Sequence, residues 1–318
     1  MLRPLIPTFA CLAILGCAPS DAAENPDAPT LSAIATRPDN TQFADVLAEY
    51  QDLNTRLSRV AAPLRLRNSA LCPVTERDPG YITHRLDDYP EPLRDVAKSL
   101  LGLSDTGIFI RTVRAGSPAE QADIMAGDRL IAMNDFPVPS EGVAIDSFYN
   151  AISRQALAEP STRITLRTPQ GSDYTTTLNA QTACDIPVNV IFSDTVNGHT
   201  DGEQVLMTSA LMRTVPDDVN LALIVAHEMA HVIAGHQGLP PSQAIELEAD
   251  RMALVLMTQA GYEIDDAIAY WQAAAHPLRE RQDNSSSHPS IKARLDNFNA
   301  ERKRIRQLQK TNTPLGFN

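Results

Sequence analysis

Residues 217–236 read DDVNLALIVAHEMAHVIAGH, and the fold turns on this stretch. Apolar residues run almost unbroken from Leu221 to Ile233. The segment is long enough for roughly five helical turns and too apolar for a surface position. Pro216 precedes it, Asp217 or Asp218 can cap it, and Gly238 stops it before Pro240 and Pro241. Inside stands His227-Glu228-Met229-Ala230-His231. Residues four apart lie about 40° apart around a helix, so both imidazoles project from one face and can reach one zinc ion. Glu228, beside them, can act as the base for a water at that site. Two histidines and a glutamate in a core helix need something to bind.

A third ligand is required. His236 lies five positions past His231, about 140° around a continuing helix, and is expected to face elsewhere. The pattern HExxHxxGxxH fails, because Ala234 and Gln237 stand where Gly and His are needed. Downstream, Ser242 to Ala260 reads as a second helix ended by Gly261, and it carries Glu246-Leu247-Glu248-Ala249-Asp250. Glu246 and Asp250 share a face, while Glu248 points about 200° away from Glu246. Glu246 is therefore the expected third ligand, and Asp250 can accept an imidazole N–H and orient that ring.

These residues, with the Ser287-His288-Pro289-Ser290 loop and Arg294, resemble the zinc peptidase family of the CAAX prenyl protease and the HtpX-type proteases. Soluble exported members, some of them lipoproteins, are the nearest in pattern. The resemblance implies an α+β chain: a mostly helical gluzincin-type domain with a small sheet, and one zinc on His227, His231 and Glu246. It also implies Glu228 as catalytic base, Asp250 and Arg294 behind the ligands, and His288 near the metal. His288 would be either a transition-state donor or a fourth ligand masking the zinc. Asn197-Gly198-His199-Thr200 departs from the Asn-Ala of the family's edge strand, and His84, His199 and His276 carry no supporting pattern.

Between Cys72 and Cys184 the texture changes to short β-like runs. GIFIRTV (107–113), a helical DSFYNAISRQAL (146–157) and a hairpin around Pro169-Gln170-Gly171 follow one another. Ser117-Pro118-Ala119, Ala122 and Gly127-Asp128-Arg129-Leu130 resemble a PDZ domain of the circularly permuted type found in bacterial envelope proteases. Asp123 stands where such domains keep Gly, a position of left-handed backbone that Asp tolerates. Leu101-Gly102-Leu103 matches the loop that holds a peptide's terminal carboxylate. The resemblance implies peptide binding by strand addition beside it; the alternative is a PDZ-shaped spacer.

The amino terminus sets the expected compartment. One positive charge precedes an apolar stretch of about 12 residues, the length of a signal-peptide core rather than of a membrane span. Ile14-Leu15-Gly16-Cys17 resembles the bacterial lipobox, so Cys17 is expected to carry lipid; an ordinary signal cut near Ala18 or Ala22 is the alternative. Ala18 after that cysteine favours the outer membrane. Cys72 and Cys184 then remain as an even pair in an exported protein and are expected to form a disulfide. The expected organisation is a leader (1–16), a tether (17–40), a first part of the peptidase domain (41–80), a PDZ-like domain (98–182) and the peptidase domain proper (183–310). Phe43, Val46, Leu47, Tyr50, Leu53 and Leu57 make 41–60 an amphipathic helix.

The net charge of −12 repels phosphate backbones and argues against nucleic acid as a partner. Hydrophobic residues at 43% and charged residues at 21% are globular values. The function expected is a lipid-anchored endopeptidase of the cell envelope, taking unfolded or misassembled proteins. A peptide-binding chaperone or adaptor with a masked zinc site is the reading from a different class.

Overall fold

The computed structural model describes residues 40–139, 145–215, 217–278 and 289–317. The leader, Cys17 and His288 lie outside the described residues. The chain divides between Asp185 and Ile186 into two compact units.

The first unit opens with α1 (Asn40–Arg67), which continues through Pro63 beyond the amphipathic run that begins it. Buried Val46, Leu47, Leu57, Val60 and Leu64 form its inner stripe. Next come β1 (Thr75–Asp78), β2 (Tyr81–His84), α2 (Glu91–Leu101), β3 (Phe109–Val113) and the single-turn α3 (Pro118–Gln121). They are followed by β4 (Arg129–Met133), β5 (Phe136–Pro137), α4 (Ile145–Ala158), β6 (Thr162–Arg167), β7 (Asp173–Leu178) and β8 (Gln181–Cys184). One antiparallel sheet runs β2-β3-β4-β6-β7, with β5 hairpinned onto β4. Ile108, Ile110, Ile124, Leu130, Met133, Ile164 and Leu166 fill the core of this sheet. The β6–β7 turn has Gly171 at φ +89°, and Asp123 sits at φ +56°, the left-handed backbone expected there.

A second ladder pairs β1 with β8, Thr75 opposite Cys184. There the Cys72–Cys184 disulfide closes, with a Cα–Cα distance of 5.5 Å and a sequence separation of 112. Helix α1 packs on α2 and β8. The segment 41–80, expected at the start of the peptidase domain, thus packs within the unit that holds the PDZ-like sheet.

The second unit holds β9 (Val188–Ile191), β10 (Gly198–Thr200) and β11 (Val205–Thr208), then α5 (Ser209–Thr214) and α6 (Asp218–Ile233). Helices α7 (Gln243–Ala260), α8 (Ile264–Leu278) and α9 (Ile291–Lys310) complete it. The small sheet runs β10-β11-β9, its first pair antiparallel and its second parallel. Helix starts follow local chemistry: Ser242 accepts from the Ile245 N–H, and Ser290 accepts from the Ala293 N–H. Gly261, in the left-handed region, ends α7. Helix α6 packs against α7, α8 and β10, and α7 packs against α9. Among the described residues no helix is long and apolar enough to cross a membrane. Three separate sheets, of two, three and six strands, among many helices make the chain α+β.

Candidate metal centre

Helix α6 is buried along nearly its whole length, from Asn220 to His231. One of its faces meets α7, and there the polar residues converge. His227 Nε2 lies 3.0 Å from His231 Nε2, 3.4 Å from one Glu246 oxygen, while His231 Nε2 is 3.7 Å from the other. Ligand atoms of the three residues all lie within 4.8 Å of one another, and all three are buried. Two nitrogens and a carboxylate, convergent and buried, are a donor set that suits zinc.

The carboxylate next in sequence shows the same need. Glu228 is 1% exposed, and neither of its oxygens makes a hydrogen bond of ordinary geometry. Burial pushes its carboxyl up to about 8; the charges of His227 and Arg294 and the backbone of Thr200, on β10, pull the other way. A buried carboxylate without partners is costly, and a cation with its water beside it would remove that cost. The residues present fit the metal.

Asp250, one turn beyond Glu246, accepts at 3.0 Å from the far nitrogen of His227, Nδ1. Arg294 of α9 holds Asp250 by two hydrogen bonds, Nε at 2.8 Å and the other through an η nitrogen, and stacks on the ring of Trp271 with Cζ 4.7 Å from its centroid. Burial opposes ionisation of Asp250, but Arg294 wins and holds its carboxyl down at about 2. Burial likewise opposes the charge on His227, and hydrogen bonds to Asp250 and Glu246 hold it up at about 9. For His231, burial and then the neighbouring His227 charge lower the value to about 3. The hydrogen bond to His227 keeps Glu246 low despite burial.

The structure thus brings together His227, Glu228, His231, Glu246, Asp250 and Arg294. It also brings in His236, which a continuing helix would have pointed away. Helix α6 stops at Ile233, and Gly235 at φ +66° swings the chain back. His236 Nδ1 ends 3.0 Å from His231 Nδ1. Leu101, Gly102 and Leu103 stand at the C-terminal end of α2. Leu101 ends α2, Gly102 is its left-handed C-cap, and Leu103 is buried. The strand after them, β3, has a neighbour on both sides, so strand addition finds no free edge there.

Comparison with known families falls on this centre. The match is to Peptidase family M48. It covers residues 188–245 and 238–302, the stretch that carries all the residues of the centre. M48 is a family of zinc metallopeptidases. Residues 93–167 match the PDZ domain model. No curated protein matches the chain. Among solved structures, the chain is similar to an HtrA3 PDZ domain bound to a phage-derived ligand (FGRWV), at 17% identity. That likeness covers 34% of this chain and 89% of the other, with a TM-score of 0.26.

Proposed function

We propose that this chain is a zinc endopeptidase, attached by lipid at Cys17 to the envelope, most simply the outer membrane, and facing the periplasm. The observation that carries the peptidase reading is the convergence of His227, His231 and Glu246 beside a buried Glu228 with unmet hydrogen bonds. One zinc per chain would lower the pKa of a water toward about 7 and polarise the scissile carbonyl. The rest is work for the chain's own groups. Glu228, held protonated up to about 8 by burial when no cation is near, becomes the proton acceptor once a positive charge is present. It takes a proton from the attacking water and returns it to the leaving nitrogen. Asp250, clamped by Arg294, keeps the His227 proton on Nδ1 and its Nε2 free to bind. Thr200 on β10 lies near Glu228, so a substrate laid along that edge strand would reach the centre. His288 is proposed as the oxyanion donor.

Substrates would be unfolded or misassembled envelope proteins, with the PDZ-like sheet recognising peptide. Within that sheet β2 is an outer strand, flanked by α4 through the Tyr149 hydroxyl near Tyr81 and Thr83. A peptide would add there rather than beside Leu101–Leu103. Cleavage of casein by purified protein tests the reading. It should stop on chelation, return with zinc, and fall about 10²–10⁴-fold in Glu228→Gln. Casein held but never cut by zinc-loaded protein would instead support an adaptor.

A further inference from the structure

We propose that His236 and Glu248 position His231 as a metal ligand, through a relay that mirrors the one Asp250 and Arg294 supply to His227. The inference rests on the centre being a zinc site. Its ground is the way three side chains share their protons. His231 turns Nε2 toward Glu246 and His227 and turns Nδ1 away, to within 3.0 Å of His236 Nδ1. Two ring nitrogens at that distance make a hydrogen bond when one carries a proton and the other does not. A ligating Nε2 must be bare, which puts the His231 proton on Nδ1 and makes His236 Nδ1 the acceptor. With Nδ1 as acceptor, the His236 proton sits on Nε2, and a Glu248 oxygen lies 3.6 Å from that atom, close enough to attract the N–H electrostatically though outside hydrogen-bond distance. The His231–His236 step is a hydrogen bond, and Glu248 supplies the charge beyond it.

The surroundings hold His236 in this role. The His236 backbone N–H donates to the His231 carbonyl at 3.0 Å, so backbone and side chain of the two residues are tied together. Their rings meet edge to face, with centroids 5.1 Å apart. The His236 side chain is 7% exposed although it lies past the helix end, while Glu248 is 51% exposed. Glu248, which helix geometry turns away from the metal, has its use on the other side of α7.

Zinc affinity measured by chelator competition on purified protein tests this. His236→Ala should bind zinc about 10–100-fold more weakly than the parent. His236→Asn, whose amide oxygen can occupy the place of Nδ1, should recover most of that loss, which a merely structural role would not allow. Imidazole nitrogen resonances of the zinc-loaded parent provide a readout independent of any variant. They should show the proton of His231 on Nδ1 and that of His236 on Nε2; the opposite assignment overturns the proposal. A parent that binds zinc with His236→Ala binding equally tightly overturns this inference alone. A parent that takes up no zinc overturns the metal reading and the relay with it.

Discussion

Each unit buries a histidine among polar neighbours, and the two clusters end differently. In the first, His84 Nδ1 lies 2.6 Å from the Tyr89 hydroxyl, which also accepts from Gln51 Nε2 at 2.9 Å. Gln51 in turn accepts from Arg111 Nε at 3.0 Å. Burial, and then the Arg111 charge, pushes His84 down to about 3, so the ring is neutral and serves to join α1, β2 and β3. In the second, His227 is equally buried but faces carboxylates that hold it up at about 9, and Glu228 keeps two oxygens without ordinary partners. The first cluster leaves one Arg111 nitrogen without a hydrogen bond, on a guanidinium lying over the Tyr50 ring, but its histidine is partnered and it serves as scaffold. The second, with a buried carboxylate left over, is shaped for a ligand.

The largest effect should come from removing a ligand. Glu246→Gln should lose most of its zinc after dialysis, whereas Glu248→Gln should keep it with a small loss of affinity. Metal analysis of both variants decides this, and a Glu246→Gln protein that retains its zinc would break the contrast between clusters. Removing the disulfide should act on the other unit. Replacing Cys72 and Cys184 by Ala is expected to cost that unit about 2–5 kcal/mol, read by denaturant unfolding, with zinc content unchanged.

The next effect concerns the metal-free protein. An acid whose folded pKa is raised from 4.5 to about 8 weakens the fold as pH rises between those values. Metal-free Glu228→Gln should therefore melt higher than the metal-free parent, with a gap that widens from about pH 5 to pH 8. A gap independent of pH would sink the assignment of that burial cost to Glu228. His84 should show the smallest effect and the opposite trend. Its folded value lies below 6.5, so its contribution is complete above 6.5 and is lost as pH falls toward about 3. The first unit should lose about 1–2 kcal/mol by pH 5, seen as faster hydrogen exchange along β2.

Most of the centre was legible because it lies on uninterrupted helices. His227 and His231 follow the period of α6, and Glu246 and Asp250 that of α7, so spacing puts each pair on one face of its own helix. His236 was not legible, because its direction follows the helical period only if the helix continues, and α6 ends at Ile233. Gly235 was the available signal: a glycine four positions past His231 can end a helix as well as lie within one. Leu101–Leu103 is a helix end, with Leu101 closing α2 and Gly102 capping it in the left-handed region, a placement that the amphipathic run from Leu93 to Leu101 explains.

The sequence by itself determined the elements whose information is local: the helices, their caps and the ligand spacing. It did so because hydrogen bonds in a helix repeat every few residues and side-chain direction follows from position. What required the tertiary structure was every contact between distant segments. It brought Arg294 to Asp250 across 44 residues, set β2 at the edge of its sheet, and returned His236 to His231 after the helix had ended. Those placements depend on which faces bury against each other and on the sign of one backbone torsion, and no local period in the chain encodes either.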